Sequence, residues 1–500
     1  MSLFKTKDVL SEPDIEKGIK KYTLDGVFST SMVTLQGGIY ITAFALAMGA
    51  SQIQIGLIAS IAFLSQLMQI PGLMLVNIFP RRKIIVALAA TISRFLWLLI
   101  ILIPFKGQMN PSLLLVFLLF AALIGAIPGP AWSSLLRDLL PTDRLGSINS
   151  KRIMLSTLMA MILTLIGGYF IDLWEVWFPE NKLYAYSVLF GLGFIFGILG
   201  VIAIITMPEP TSQASRLSIV ELFQSPIRDK NFSRLMIFQA VWNLAINLSA
   251  PFFIVYILNR LGYSIFLVTM LTVVSQITNI VFLKLWGRLA DKFSNKTVLS
   301  VSAPLFLITI ILWNFTAMPE PHDFTIVLLF IIYALTGMSI SGVTLGTSSI
   351  ALKLSPKDKA HSYMAVVGIS SAIMGAMAPL IGGLLAQYFD QIQLAIPLKL
   401  YVDEVIYSVP IISLKGLDFV FLLTLLIGLF AVHRLAFVRE VGEGKRKHVI
   451  DELTSSIIMP IRSLTPLVGL GRIAIIPISD LVKATTKQKR SGLPKVNKKV

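Results

Sequence analysis

Long apolar runs, most of them twenty residues or more, alternate along the chain with short polar stretches. A helix rises 1.5 Å per residue, so such runs match the ~30 Å hydrocarbon core of a bilayer. Twelve runs are legible, at about 24–48, 53–78, 84–105, 111–138, 148–172, 184–206, 233–258, 264–284, 297–317, 323–352, 361–388 and 416–437. They lack the period-two alternation over about ten residues that marks a membrane β-strand. Lipid demands that each spanning segment satisfy its own backbone polar groups, which a helix does. The expected fold is therefore an all-α polytopic membrane protein with 12 transmembrane helices.

The polar stretches set the orientation. With the N-terminus inside, 23 of the 43 Lys and Arg residues fall in connections on that side, and only five fall in connections on the other. Fourteen more lie in the last turn of the final apolar run or beyond it, so both termini are expected in the cytoplasm. The net charge of +17 is thus a topological signal and gives no reason to expect nucleic acid as a partner. Residues 5–21 mix bases with acids, and the first apolar block is too long for a cleaved signal peptide.

Composition removes further classes. With 55% hydrophobic and 14% charged residues, the chain cannot cover a soluble surface of this size. There is no cysteine, and the four histidines, His322, His361, His433 and His448, are scattered, so neither a metal site nor a cofactor is expected. No cluster of acids or nucleophiles suggests an enzyme, and no catalytic residue is assigned.

The chain also repeats itself at a constant offset of 215 residues. Ser133-Ser134, Leu139, Pro141, Asp143, Arg144 and Ser147 align with Ser348-Ser349, Leu354, Pro356, Asp358, Lys359 and Ser362. The same register carries Gly167-Gly168 onto Gly382-Gly383 and Gly72 onto Gly287. Six spans separate equivalent positions, so the halves have the same orientation and are parallel repeats about the membrane normal. Two such bundles can enclose a cavity near the midplane and rock about it. The expected organisation is an N-terminal segment (1–22), a six-helix bundle (23–206), a linker (207–231), a second bundle (232–438) and a basic tail (439–500). Within the tail, 464–482 is apolar enough to lie on an anionic lipid surface.

One connection carries a signature. Gly287-Arg288-Leu289-Ala290-Asp291-Lys292-Phe293-Ser294-Asn295-Lys296 resembles the cytoplasmic loop motif of the major facilitator superfamily (MFS). Ser294 stands where that motif usually has glycine. The stretch Gly375-Ala376-Met377-Ala378-Pro379-Leu380-Ile381-Gly382-Gly383 resembles a glycine–proline motif of superfamily helices, but Thr164 takes the proline's place in the first copy, which gives no support to a drug antiporter. The resemblance implies two six-helix bundles, alternating access and a small-molecule substrate, with Gly287, Asp291 and Lys292 in a gating loop. The equivalent first-half loop keeps Arg81 and Arg82 but has Val76 at the aspartate position; Arg137 and Asp138, at the end of block 4, could latch it.

Candidate substrate contacts follow from depth. Arg94 lies eleven residues past Lys83, about 16 Å into its helix. A charge so deep is costly, which makes it a candidate to face an anionic solute, or else to snorkel. No acid is expected at that depth, because Asp25 reads as the cytoplasmic start of block 1. Uncharged candidates are Gln36 and Tyr40 in block 1, Trp242, Asn243 and Asn247 in block 7, and Ser339 in block 10. The resemblance implies that blocks 1, 4, 7 and 10 line the cavity. A coupling ion is left open, since no titratable acid is evident in mid-membrane. The function expected is secondary or facilitative transport of a small solute by a monomer in the cell membrane. The alternative is a sensor on the same fold.

Overall fold

The computed structural model describes residues 6–7, 10–79, 81–106, 110–141, 144–211, 226–317, 324–356, 360–402, 405–440 and 449–450. The chain divides into a unit over Met1–Gly444 and a second over Lys445–Val500. The 464–482 segment, most of the linker and the repeat residues Asp143, Asp358 and Lys359 lie outside the described residues.

Among the described residues, twelve helices are long and apolar enough to cross a membrane: α1 (Glu12–Ala47), α2 (Gln52–Val76), α3 (Arg82–Ile101), α4 (Pro111–Leu139), α5 (Leu145–Trp177), α6 (Pro179–Ile205), α7 (Lys230–Arg260), α8 (Ile265–Phe293), α9 (Asn295–Phe315), α10 (Thr325–Leu354), α11 (Tyr363–Phe389) and α12 (Leu417–Leu435). Local chemistry places several of their ends. Ser51 and Gln54 form a reciprocal capping box at the start of α2, with bonds of 3.3 and 2.9 Å. The Asp229 carboxylate accepts from Asn231 N and Phe232 N at the start of α7.

The packing repeats with the sequence. In the first bundle α1 packs on α5 and α6, α2 on α4, and α3 on α4 and α6. In the second, α7 packs on α11 and α12, α8 on α10, and α9 on α10 and α12. These are the same pairs displaced by six helices. The principal packed pairs between the bundles, α2 with α11 and α5 with α8, exchange under that same displacement, as a pseudo-twofold axis requires. Large apolar side chains such as Phe95, Phe120, Ile162 and Leu426 are exposed, as a lipid-facing belt would be.

Four helices are broken where the bundles meet. α1 bends at Gly37-Gly38, where Gly38 has φ +53°. α2 is offset between Gln66 and Gln69. α4 restarts at Gly129 after Pro128. α7 stops at Ser249, restarts after Pro251 and ends in a π-turn over Tyr256–Arg260.

Three expectations are corrected. α1 starts at Glu12 rather than near 24, because a Lys7–Asp14 ion pair and an Arg144–Glu16 pair hold its polar first turns on the bundle end. α8 runs on to Phe293 through the signature residues 287–293, because Trp286 and Leu289 bury there, which reduces the loop to Ser294. The connection between α11 and α12 is a β-hairpin, Gln393–Val402 against Val405–Lys415, antiparallel with a bulge at Ile396/Pro397. Near the N-terminus, Thr6–Lys7 pairs in parallel with Glu209–Pro210 after α6.

Candidate functional site: an uncharged cavity between the bundles

The connections define two faces. The near face carries the α2–α3 and α8–α9 turns and the paired strands at Thr6 and Glu209; the far face carries the hairpin. On the far side the bundles are sealed. Asp172 Oδ2 accepts from Phe266 N at 3.1 Å, and the Tyr169 and Phe266 rings meet edge to face. A Cβ on Gly168 would sit 2.4 Å from Thr269 Oγ1, and one on Gly56 would sit 2.2 Å from the Pro379 carbonyl oxygen. Only glycine allows these approaches.

Inward of that seal lies a cavity of about 590 Å³, bounded by the Gly37-Gly38 break, α2, α3, α4, the Pro251 break and Pro379. Two further pockets, of about 380 and 370 Å³, share Ala62, Phe63 and Gln66, or Gln66, Gly368 and Ala372, with their neighbours. They continue the space between α2, α7 and α11, and α4 is among their walls.

The structure distributes the sequence candidates unevenly. Gln36 lines the main cavity. Its Nε2 donates to Phe190 O at 3.0 Å, while its buried Oε1 has no protein partner. Asn247 lines it too, donating to Asn243 O at 2.9 Å. Asn243 faces the adjoining pocket, where its Nδ2 lies 2.8 Å from Gln239 O and 3.4 Å from Ser371 Oγ. Tyr40, Trp242 and Ser339 lie elsewhere. The Tyr40 hydroxyl donates to Thr164 O at 2.5 Å inside the first bundle. Trp242 stacks among Phe238 and Phe306 inside the second. Ser339 bonds back to Leu335 O within its own helix.

Arg94 is buried behind the cavity wall, with its side-chain carbons against Gly197. It interacts there with Asp25, which is 4% exposed. Asp25 is thus buried inside the first bundle, which its place at the start of the apolar run did not reveal. Because α1 begins twelve residues earlier than the apolar run, Asp25 lies more than three turns into the helix. Its Oδ1 accepts from Ser29 at 3.0 Å and its Oδ2 lies 3.8 Å from Arg152, whose guanidinium covers the Tyr22 ring. This Asp25–Arg94–Arg152 cluster escaped the sequence reading, which took block 1 to start where the apolar run does.

The gating candidates separate as well. Arg82 is fully buried and donates to Asp138 Oδ2 at 2.7 Å, Ser134 Oγ at 2.9 Å and Pro210 O at 3.0 Å. That joins α3 to α4 within one bundle rather than one bundle to the other. Arg81 and Arg137 are exposed, the latter 3.3 Å from Asp138. Gly287 faces open space, and Asp291 and Lys292 are exposed, with Lys292 over the Phe293 ring. Ser294 sits at φ +133°, ψ 159°, a region that is essentially glycine's, which accounts physically for the glycine usual at this place in the motif.

The near-face ends of α3 and α9 are closed in parallel ways. Glu209 Oε1 accepts from Lys83 N at 2.9 Å. Glu440, beyond α12, accepts from Lys296 N at 2.7 Å, Asn295 Nδ2 at 3.0 Å and Lys353 Nζ at 2.8 Å. Burial alone would raise the Glu440 carboxyl, but these donors outweigh it and hold the group below the usual carboxylate range. Among the described residues, no group of His, Cys, Asp and Glu could hold a metal ion.

Twelve spans in two pseudosymmetric bundles about a central cavity define a membrane carrier. The chain belongs to the major facilitator superfamily, whose family model matches residues 26–379 and 235–483. It is similar in fold to the nucleoside transporter NupG at 12% identity and TM-score 0.63, over 85% of this chain and 99% of that one. It is similar also to a bacterial homologue of the iron transporter ferroportin in an inward-facing state, at 13% identity and TM-score 0.59, over 86% and all of the two chains. A bacterial homologue of the lysosomal transporter Spinster, inward-facing and occupied, matches at 15% identity and TM-score 0.55, over 90% and 96%. No curated protein matches the chain. The chain is thus a multi-pass solute transporter, and no observation favours a sensor.

Proposed function

We propose that this chain moves a small solute across a cell membrane by rocking its two bundles, 23–206 and 232–438, about the cavity at Gln36, Asn243 and Asn247. The observation that carries this reading is the one-sided seal. The bundles close on each other at Asp172–Phe266, Gly168–Thr269 and Gly56–Pro379, all toward the far face, while the cavity continues between α2 and α11 toward the near face. The excess of Lys and Arg on the near side makes that face cytoplasmic, with both termini there, so the structure is the inward-open state. On this reading the solute crosses unaltered. A monomer contains the whole pathway. The buried Asp25 carboxylate is the group through which a coupling ion would act, and Asp138, Arg82, Glu209 and Glu440 hold the bundle ends on which rocking bears.

Flux into proteoliposomes, measured with labelled nucleosides, sugars and amino acids, tests the reading. Saturable uptake of at least one class is expected, reduced tenfold or more when Gly56→Trp wedges the α2–α11 seal. Passive, unsaturable leakage unaffected by Gly56→Trp for every class would contradict it.

A further inference from the structure

The lining of the three connected pockets contains no Asp, Glu, Lys, Arg or His among the described residues. Its walls are apolar, from Met32, Phe63, Trp97 and Ile254, and its polar groups are amides and hydroxyls. The charges nearest to it are turned away. Arg94 presents its carbons to Gly197, a neighbour of Met32, and is not among the lining residues. Asp25 in turn pairs with Ser29 and Arg152. An ion entering such a lining would lose hydration without gaining a counter-charge, a cost of several kcal/mol at membrane depth. The amides of Asn243 and Asn247 and the Ser371 hydroxyl, which line the pockets, offer hydrogen-bonding groups that a neutral solute can meet.

We infer that the cavity selects an uncharged solute with an apolar body and hydrogen-bonding groups, and excludes anions and cations alike. This rests on the carrier reading above and deepens it. Arg94 is then a structural counter-ion to Asp25 and not a contact for an anionic substrate.

The chain has no cysteine, so a single introduced thiol reports without background. Ala62→Cys lies where two of the pockets join, and Ser133→Cys is an exposed control on the near-face half of α4. The full-length variants, in detergent, are treated with three methanethiosulfonates of similar size: hydroxyethyl (neutral), trimethylammonium-ethyl (cationic) and sulfonatoethyl (anionic). After division by the rates at Ser133→Cys, the neutral reagent should modify Ala62→Cys at least tenfold faster than either charged one. Charged reagents within twofold of the neutral one overturn the inference, as does a preference for the anion, which would return Arg94 to the site. No modification by any reagent also overturns it, since the cavity would then be closed. Ala122→Cys, on another wall of the main cavity, repeats the measurement should Ala62→Cys fold poorly. Failure of the carrier reading looks different: in sealed vesicles the same thiol would react from one side only, with its charge preference intact.

Discussion

Laid on the second bundle at the 215-residue offset, Asp25 of the first falls on Ala240, Arg94 on Thr309 and Arg152 on Val367. The helix pairings are shared between the bundles, but the buried polar contents are not. At these three positions the first bundle holds charges, Asp25 and Arg94 buried and Arg152 half-buried. The second replaces them with amides and hydroxyls such as Gln239, bonded to Thr347 O, and Thr309, bonded to Phe306 O. The glycines have diverged too. A Cβ on Gly72 would sit 2.2 Å from Ile127 O, whereas its counterpart Gly287 faces open space. Fold symmetry depends on which helices meet, and small residues and apolar faces suffice for that. Charge placement is free to differ, and it does so behind the cavity rather than on it.

The largest expected effect breaks this asymmetry directly. Asp25→Ala leaves Arg94 buried, and Arg152 half-buried, without a carboxylate and should cost about 3 kcal/mol. Ala240→Ser, at the equivalent place in the second bundle, should change the melting temperature by little. Melting by size-exclusion fluorescence in detergent compares the two, and equal losses would contradict a charge cluster confined to one bundle.

Next is the seam between the bundles. Gly56→Ala sets a methyl against the Pro379 carbonyl, which is backbone and cannot give way. It should weaken the far-face seal by about 1–3 kcal/mol, seen as faster labelling of Ala62→Cys by an impermeant reagent added at the far face. Gly287→Ala, in open space, should leave that labelling unchanged.

A smaller effect concerns the caps. Glu440→Gln should cost about 1–2 kcal/mol at neutral pH. The folded pKa of Glu440 lies below its unfolded value, so its contribution is complete above the ordinary carboxylate range and fades as pH falls through the folded value. The melting difference between wild type and Glu440→Gln should hold at pH 7 and pH 5.5 and shrink below about pH 4. A difference that grew on acidification would reverse the sign of the linkage.

Smallest is Ser294→Gly. It relieves a backbone conformation costing about 1–3 kcal/mol and forfeits the side-chain cap on Thr297 N, for a net gain of about 1 kcal/mol. Unchanged or lower thermal stability would count against strain there.

The number of spans and the repeat were legible because lipid imposes one length scale on every crossing and duplication preserved glycines and turn residues. Helix ends were less so. Hydropathy marks where lipid begins, not where the backbone starts to coil, and the polar first turns of α1 and the signature turns of α8 hid inside apparent loops. The same gap concealed Asp25 as Arg94's partner. Of the site, Gln36, Asn243 and Asn247 were readable as polar residues at depth. Tyr40, Trp242 and Ser339 met the same criterion, because depth does not tell which face of a helix looks at the cavity. The hairpin of 393–415 lay in a stretch interrupted by Lys399, Asp403 and Glu404, which kept it from registering as a span, although it alternates as strands do.

Spin labels paired across the two bundles at each face test the central claim most directly. Cysteines at Ser133 and Ser348 report on the near-face halves of α4 and α10, and cysteines at Glu175 and Asn259 on the far face. Pulsed dipolar spectroscopy in liposomes should find two distances for each pair, the long one at the near face accompanying the short one at the far face, with populations that shift in opposite senses when Gly56→Ala is added. A single distance at both faces, unmoved by that substitution, would contradict alternating access about this cavity.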